Sequence, residues 1–317
     1  MIITLTANPS LDRTVTLGSE LVPGGVHRIE EDTTQPGGKG INVALGVAQA
    51  DLDTLAVLPA SANDPLVALL EEANLDYTAV PVAGRVRTNL TVLGEGETTK
   101  INEPGASLSA DEVAAVENAL TTAVCEGDTV MLSGSLAPGF PTDEYARLIR
   151  ALRPLGAWVG VDTSDAPLIA LADNFADAAP DFLKPNAEEL GQLTGRDGVA
   201  LEEQAALGDI SAVKEAALAL HERGVGDVLV TLGGAGAVLV TDEGVWYSPS
   251  PKVDVISTVG AGDSATAGYL IARAAGLSPA ERLAYAVAYG GVAVSLPGTT
   301  IPTPDQVKPI IDVVSAI

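Results

Sequence analysis

Over most of this chain, short runs of β-branched and aliphatic residues alternate with segments of helical periodicity, and that rhythm leaves few folds open. Strand-like runs fall at 2–7, 55–58, 129–132, 158–161, 181–183, 228–231 and 237–241. Helical patterns fall at 41–50, 65–73, 110–124, 142–152, 187–193, 211–223, 265–275, 279–295 and 304–314. Strand–helix alternation of this kind builds βαβ units, so the spacing predicts an α/β fold with a doubly wound, mostly parallel sheet flanked by helices. In such sheets ligands bind beyond the carboxyl ends of the strands.

Two stretches break the rhythm. Residues 13–34 and 85–103 carry alternating patterns with no helix between them (Val15, Leu17, then Val26, Ile29; Leu90, Val92, then Thr99, Ile101). They predict hairpins forming a small β-sheet lid, which could exclude water from a site at the edge of the main sheet, or else plain edge hairpins. Residues 1–12, 35–84 and 104–317 are then the main domain.

Composition narrows the classes of partner. Seventeen basic residues against forty-two acidic ones give a net charge of −25, which argues against nucleic acid and anionic membrane surfaces. Only six lysines occur, at 39, 100, 184, 214, 252 and 308, so a cation inside a motif stands out as a candidate for holding an anionic substrate. Such a surface suits a salt-rich cytoplasm or an ordinary acidic protein equally. One cysteine, Cys125, excludes an internal disulfide and a cysteine-based metal cluster, and is expected to be packed at a helix end. No apolar run is long enough to span a bilayer and the first residues lack a signal peptide's basic flank, so a soluble, cytoplasmic protein is expected.

Chemistry concentrates in two glycine-rich runs. In Ser257-Thr258-Val259-Gly260-Ala261-Gly262-Asp263-Ser264, small residues and one acid lead into a helical pattern. A helix start carries unpaired N–H groups and partial positive charge, and glycines let an anion approach the backbone. Gly260, Ala261 and Gly262 are therefore candidates for a phosphate cradle, with the Asp263 carboxylate placed to take a proton from an attacking hydroxyl. Taken alone, the run reads equally as a strand-to-helix turn with a first-turn acid. The second run is Pro36-Gly37-Gly38-Lys39-Gly40-Ile41-Asn42, in which glycines permit close approach of a ligand, Lys39 offers charge and Asn42 can bond hydroxyls. Its spacing is not that of the P-loop, and Gly233-Gly234-Ala235-Gly236 does not complete a dinucleotide fingerprint.

Together these runs resemble the two signatures of the ribokinase-like sugar kinases, the PfkB family. The resemblance extends along the chain through Asn8-Pro9-Ser10-Leu11-Asp12, Arg87-x-Asn89, Asn102-Glu103-Pro104-Gly105, Ser133-Gly134-Ser135-Leu136, Lys184-Pro185-Asn186-x-x-Glu189 and Thr231-Leu232-Gly233-Gly234-Ala235-Gly236. The first, second and third of these fragments are similar to the branch that acts on phosphosugars. The chain departs from the family pattern at Val86, Ala137, Asp165 and Ser257.

The resemblance implies a kinase that uses ATP and Mg²⁺ to phosphorylate the 6-hydroxyl of fructose 1-phosphate. Fructose 6-phosphate and tagatose 6-phosphate are alternatives, and a non-catalytic sugar-phosphate-binding regulator is a further one. It implies Asp263 as base, kept ionised and hence weak by its helix-start position, with the Gly260–Gly262 amides stabilising phosphoryl charge. Asp12, Gly38 and Asn42 would bind sugar hydroxyls. Arg87 and Lys39 would bind the sugar's phosphate far from Asp263, with Lys100, Ser135 and Arg28 as helpers. Lys184, Asn186, Thr231, Gly233, Gly234, Gly236 and Gly262 would line the nucleotide site, with Gly290 and Gly291 near adenine. Asn186 and Glu189 would hold Mg²⁺ through water, or Glu189 would cap the helix after Pro185. His27 is expected in the lid and His221 on a helix surface. Relatives often pair their lids, and Leu90 and Val92 would allow a homodimer through the lid sheets.

Overall fold

The computed structural model describes residues 1–311 and 315–316. Its strands are β1 (Ile2–Thr6), β2 (Ser10–Leu17), β3 (Ile29–Gly37), β4 (Thr54–Pro59), β5 (Tyr77–Val80), β6 (Arg87–Leu93), β7 (Thr98–Asn102), β8 (Thr129–Ser133), β9 (Trp158–Asp162), β10 (Phe182–Leu183), β11 (Asp227–Thr231), β12 (Ala237–Thr241), β13 (Gly244–Ser248) and β14 (Ser315–Ala316). Its helices are α1 (Lys39–Ala48), α2 (Pro65–Glu72), α3 (Ala110–Ala123), α4 (Glu144–Leu152), α5 (Asp165–Asp173), α6 (Phe175–Ala178), α7 (Ala187–Thr194), α8 (Gly198–Ala206), α9 (Ser211–Glu222), α10 (Ala261–Ala274), α11 (Pro279–Val294) and α12 (Pro304–Val307).

Among the described residues, ten strands form one sheet in the order β14-β13-β12-β11-β10-β9-β8-β1-β4-β5. From β5 to β11 every pairing is parallel; β12, β13 and β14 close the far edge antiparallel. Successive strand residues feed two cores. Ile3, Leu5, Val130, Leu132, Val228 and Val230 pack on one face, while Ile2, Met131, Phe182 and Leu229 pack on the other with α1, α10 and α11. A sheet buried on both faces has no polar side, which is why its strands read as unbroken apolar runs. From β1 the order runs outward to β4 and β5 one way and to β8 and β9 the other. The reversal places a crevice at the carboxyl ends of β1, β8 and β9.

The two rhythm-breaking stretches form a separate sheet, ordered β3-β2-β6-β7, in which two hairpins join through the parallel β2–β6 pair. Its apolar positions Val15, Leu17 and Val92 are buried together with Leu21 and Leu90 of the same chain. Val92 is buried in this cluster, while Leu90 keeps part of its surface exposed.

Several boundaries differ from the sequence reading. Helix α10 begins at Ala261, four residues earlier than its apolar pattern, because glycine and alanine carry no periodicity to read. The strands β5, β13 and β14 and the helices α5, α6 and α8 carry no pattern that the sequence reading used. The pattern over 304–314 forms a helix only to Val307 and then a 3₁₀ turn, Lys308–Ile310, with Pro309 unable to donate a backbone hydrogen bond; residues 312–314 lie outside the described residues. Cys125 is exposed rather than packed, since α3 ends at Ala123 and Val124 takes the buried position. His221 is half-buried, with Nδ1 2.9 and 2.7 Å from the carbonyl oxygens of Val225 and Gly226, where it closes the end of α9. No helix among the described residues is long and apolar enough to cross a membrane.

Helix α10 is fixed from several sides. The Tyr269 ring stacks on Phe182 with centroids 4.4 Å apart, its hydroxyl bonds to Asp227, and the Arg273 guanidinium lies 3.8 Å from the Trp158 ring centroid. A Cβ on Gly268 would stand 2.6 Å from the Tyr285 carbonyl oxygen and 2.8 Å from the Tyr289 ring. Gly268→Ala is therefore expected to lower stability by about 1–2 kcal/mol, several degrees in Tm, although alanine is the better helix former. Thermal unfolding measures this, and an unchanged or higher Tm would refute the close α10–α11 packing.

Candidate active site

Helices α1 and α10 run side by side in the same direction. Asn42 Nδ2 donates to Asp263 Oδ2 at 2.8 Å, and one turn later a Cβ on Gly46 would lie 2.7 Å from the Ala267 Cβ. Their N-termini consequently open onto one place. Neither has a side-chain cap: Gly38 (φ 116°) precedes α1 and Gly260 (φ 78°) precedes α10, so the first-turn N–H groups have no intrahelical partner. Positive φ accounts for glycine at both positions.

The glycines of the first run serve the scaffold more than a ligand. A Cβ on Gly38 would strike the Thr6 methyl at 2.5 Å, and one on Gly40 would meet Thr6 Oγ1 at 2.4 Å and the Leu5 carbonyl oxygen at 2.8 Å. They let α1 begin directly against the end of β1. The α10 glycines are different, for a Cβ on Gly262 would meet only the Lys184 ammonium, at 3.3 Å.

Beside these helix ends lies a buried charge cluster. Asp162, at the carboxyl end of β9, binds Lys39 Nζ through Oδ1 (2.7 Å) and Lys184 Nζ through Oδ2 (3.1 Å). The two ammonium groups hold Asp162 below the usual carboxylate range even though burial opposes this. Burial would lower Lys39, but Asp162, then Asp263 and Glu189, hold it above the ordinary lysine range. Lys39, expected beside Arg87 at the sugar's phosphate, is thus paired with Asp162 and close enough to Asp263 to feel its charge. The sequence reading passed over Asp162; its position before the Thr163-Ser164 turn at a strand end was the available signal.

Asp263 also departs from expectation. Its position in the first helical turn does not keep its pKa low: burial pushes it up to about 6, with Asp162 adding to the rise and Lys39, the Asn42 hydrogen bond and Lys184 opposing it. Oδ2 is held by Asn42, and Oδ1 takes no hydrogen bond from any described residue.

A cavity of about 1330 Å³ opens beside the α10 start. Asn186, Thr231, Gly233, Gly234, Gly236, Ala261 and Gly262 line it, as do Gly290 and Gly291, with Gly290 packed 3.2 Å (to an added Cβ) from the Ala261 carbonyl oxygen. Only Gly234 in the turn is wholly open; Gly236 has φ 98° and its Cβ would strike the Ser248 carbonyl oxygen at 2.0 Å. Gly291 faces Pro251, where a Cβ would come within 2.2 Å. The 250–256 segment and Glu202 complete the wall and carried no motif to betray them.

Asn186 and Glu189 form a reciprocal capping box on α7: Asn186 Oδ1 accepts from the Glu189 N–H at 2.8 Å and Glu189 Oε2 accepts from the Asn186 N–H at 2.9 Å. The capping alternative is realised, and burial raises the Glu189 carboxyl above its usual value. Glu189 Oε1 takes no hydrogen bond from the described residues, among which no cluster of three or more metal-ligating side chains occurs. One free carboxylate oxygen suits a hard cation that keeps most of its water.

On the lid side, Asp12 Oδ1 accepts from Ser10 Oγ (2.7 Å) and from Asn89 Nδ2 (3.0 Å). A Cβ on Gly37 would lie 2.3 Å from the Asp12 carboxyl carbon, so that glycine makes room for it. Arg87 NH1 donates to the Glu103 carbonyl oxygen at 3.2 Å, while its buried Nε has no partner. Burial lowers the Arg87 pKa and Asp12 partly offsets this. Ser135 Oγ accepts from Asn8 Nδ2 at 3.4 Å. Lys100 and Arg28 are exposed.

Removing the Asn42 amide deletes a donor that favours the charged carboxylate. Asn42→Ala should move the Asp263 titration midpoint upward from about 6, as read from its ¹³C carboxyl resonance. A midpoint that stays or falls would contradict the geometry.

The chain is 36% identical over 310 residues to a 1-phosphofructokinase of Haloferax volcanii, spanning 97% of this chain and 95% of that one. It is 33% identical to the 1-phosphofructokinase of Bacillus subtilis, over 85% of this chain and 84% of the relative. Its fold superposes on phosphofructokinase-2 from Escherichia coli with a TM-score of 0.88 at 31% identity, covering 98% of each chain. The family model for pfkB family carbohydrate kinases matches residues 6–306, and the chain belongs to that family.

Proposed function

We propose that the protein transfers the γ-phosphoryl group of ATP to the 6-hydroxyl of fructose 1-phosphate, giving fructose 1,6-bisphosphate. The observation that carries this reading is the pairing of a carboxylate with one free oxygen and an uncapped helix start, at the mouth of a nucleotide-sized cavity. The identity to 1-phosphofructokinases over most of the chain supports the choice of acceptor.

In this reading the nucleotide lies along the cavity, its purine toward Gly290, Gly291 and Pro251 and its phosphates over Gly234 toward α10. The amides of Ala261, Gly262 and Asp263, together with Lys184 at 3.3 Å from the Gly262 Cβ position, neutralise charge on the transferred group. Lys39 does the same from the α1 side. Asp162 holds both ammonium groups by direct contact. Asn186 and Glu189 would hold Mg²⁺ through water, and the ion would supply bridging charge on the nucleotide phosphates.

The acceptor hydroxyl bonds to Asp263 Oδ1 while Asn42 fixes Oδ2, and the carboxylate takes its proton as the bond to phosphorus forms. With a pKa of about 6 the group is roughly nine-tenths ionised at pH 7, so it is both available and more basic than an ordinary aspartate. The acceptor's own phosphate lies at Arg87, whose buried Nε lacks a protein partner. The four-stranded sheet acts as the lid over this chamber and keeps water from competing as acceptor.

Coupled ADP release measured with fructose 1-phosphate, fructose 6-phosphate and tagatose 6-phosphate tests the assignment, with the first expected to give the highest kcat/KM. Asp263→Asn should lower turnover at least about a hundredfold while leaving nucleotide binding largely intact. Near-normal turnover in that variant would overturn the role of the carboxylate, and a strong preference for either 6-phosphate would overturn the acceptor.

A further inference from the structure

Strand register puts a row of polar side chains on one face of the smaller sheet. Ser10 stands opposite Gly37 and Arg87, and Asp12 stands opposite Gln35 and Asn89. Side chains two residues apart share a face, so Arg87 and Asn89 point the same way, roughly 7 Å apart along β6. This is the face that carries the Asp12 carboxylate.

Asn89 is held in one orientation. Its Nδ2 donates to both Ser10 Oγ and Asp12 Oδ1, each at 3.0 Å. Rotating the amide by half a turn would set its oxygen against the Asp12 carboxylate, so the hydrogen-bond chemistry permits only the observed arrangement. Both amide hydrogens are thereby committed, and Oδ1 is left buried with no donor from the described residues. A buried acceptor without a donor is costly, and native proteins rarely keep one without a use.

Asp12 adds a second acceptor beside it. Oδ1 of that carboxylate is filled by Ser10 and Asn89, whereas Oδ2 accepts nothing from the described residues. Two acceptors on paired residues of one sheet face, neither taking a donor from the described residues, suit a ligand that supplies two O–H groups. A phosphate cannot do so, and a carbon bearing only hydrogen cannot either.

We propose that Asn89 is a specificity residue that accepts a hydrogen bond from one hydroxyl of a vicinal pair on the acceptor sugar, the other hydroxyl bonding Asp12. The inference rests on the sugar-phosphate kinase reading and names which part of the sugar the lid inspects. Asn89 thus tests the carbon chain between the phosphate held at Arg87 and the hydroxyl that reacts.

The test combines substrate and protein changes, using fructose 1-phosphate and its 3-deoxy and 4-deoxy analogues. With the wild-type protein, loss of the hydroxyl that Asn89 reads should cost about 10- to 100-fold in kcat/KM, since the acceptor is then left buried and empty. Asn89→Ala should lower kcat/KM for fructose 1-phosphate by a similar factor, mainly through KM for the sugar. Affinity for a non-hydrolysable ATP analogue, measured by calorimetry, should stay unchanged. On one deoxy analogue the same substitution should have little further effect, because the bond is already missing. Equal losses on all three sugars, or no loss on the parent sugar, would overturn the proposal. The wild-type comparison of the three sugars needs no variant, so it decides the matter even if Asn89→Ala folds poorly. If the wild-type protein phosphorylates none of them, the kinase reading itself fails. Calorimetric binding of the same sugars then still reports whether either deoxy analogue is rejected, and equal binding of all three would sink the role of Asn89.

Discussion

The Asn42–Asp263 hydrogen bond ties two helix starts together, and most of the site's geometry follows from that tie. For α1 and α10 to lie parallel and close, small residues must face each other at Gly46 and Ala267, and α1 must begin flush against β1, which Gly38 and Gly40 permit. With the axes aligned, two sets of unpaired N–H groups and two positive dipole ends reach the same point. An anion placed there meets favourable partial charge from both sides. The aromatic stack beneath α10 and the close α10–α11 contact at Gly268 then keep that point from drifting relative to the sheet.

Burying Asp162, Lys184 and Asp263 around one chamber, with the part-exposed Lys39 beside them, has a cost that their pairing must offset. Asp162 binds the two lysines through separate oxygens. Asp263 has the weaker compensation, a single amide donor and lysines already engaged elsewhere, and burial consequently dominates its proton affinity. That imbalance is functional in the proposed reaction. Strongly compensated groups stay charged and stabilise phosphate, and the under-compensated carboxylate stays basic enough to accept a proton near neutrality. A first-turn position alone would have made Asp263 too weak a base, as the sequence implied; its depth in the chamber reverses that.

The sequence exposed those parts of the molecule that depend on local pattern. Buried strands such as β8 and β11 read clearly because both faces are apolar, and the separate sheet read clearly because its alternation had no helix to interrupt it. The edge strand β5 and the near-edge strand β13 did not, since half-exposed residues there dilute the pattern. Motif residues Asp12, Lys39, Asn42, Lys184 and Asp263 do gather in one region, but their local partners could not be foreseen. Whether Lys39 faces the nucleotide end or the far end of an acceptor depends on where Asp162 arrives from another strand. Asp165, one of the departures from the family pattern, adopts φ 57°, a left-handed conformation that an aspartate does not announce. The orphaned Asn89 oxygen is likewise a product of strand register, which no spacing rule reveals.

The central claim is that the Asp263 carboxylate removes a proton and never carries the phosphoryl group itself, so that the sugar hydroxyl attacks the γ-phosphorus directly and in line. The stereochemical course at phosphorus tests this most directly, using ATP made chiral at the γ-position with oxygen isotopes and analysing the configuration of the sugar bisphosphate formed. A single direct displacement predicts inversion of configuration. Net retention would mean two displacements through a phosphorylated side chain, and would contradict this account of the site.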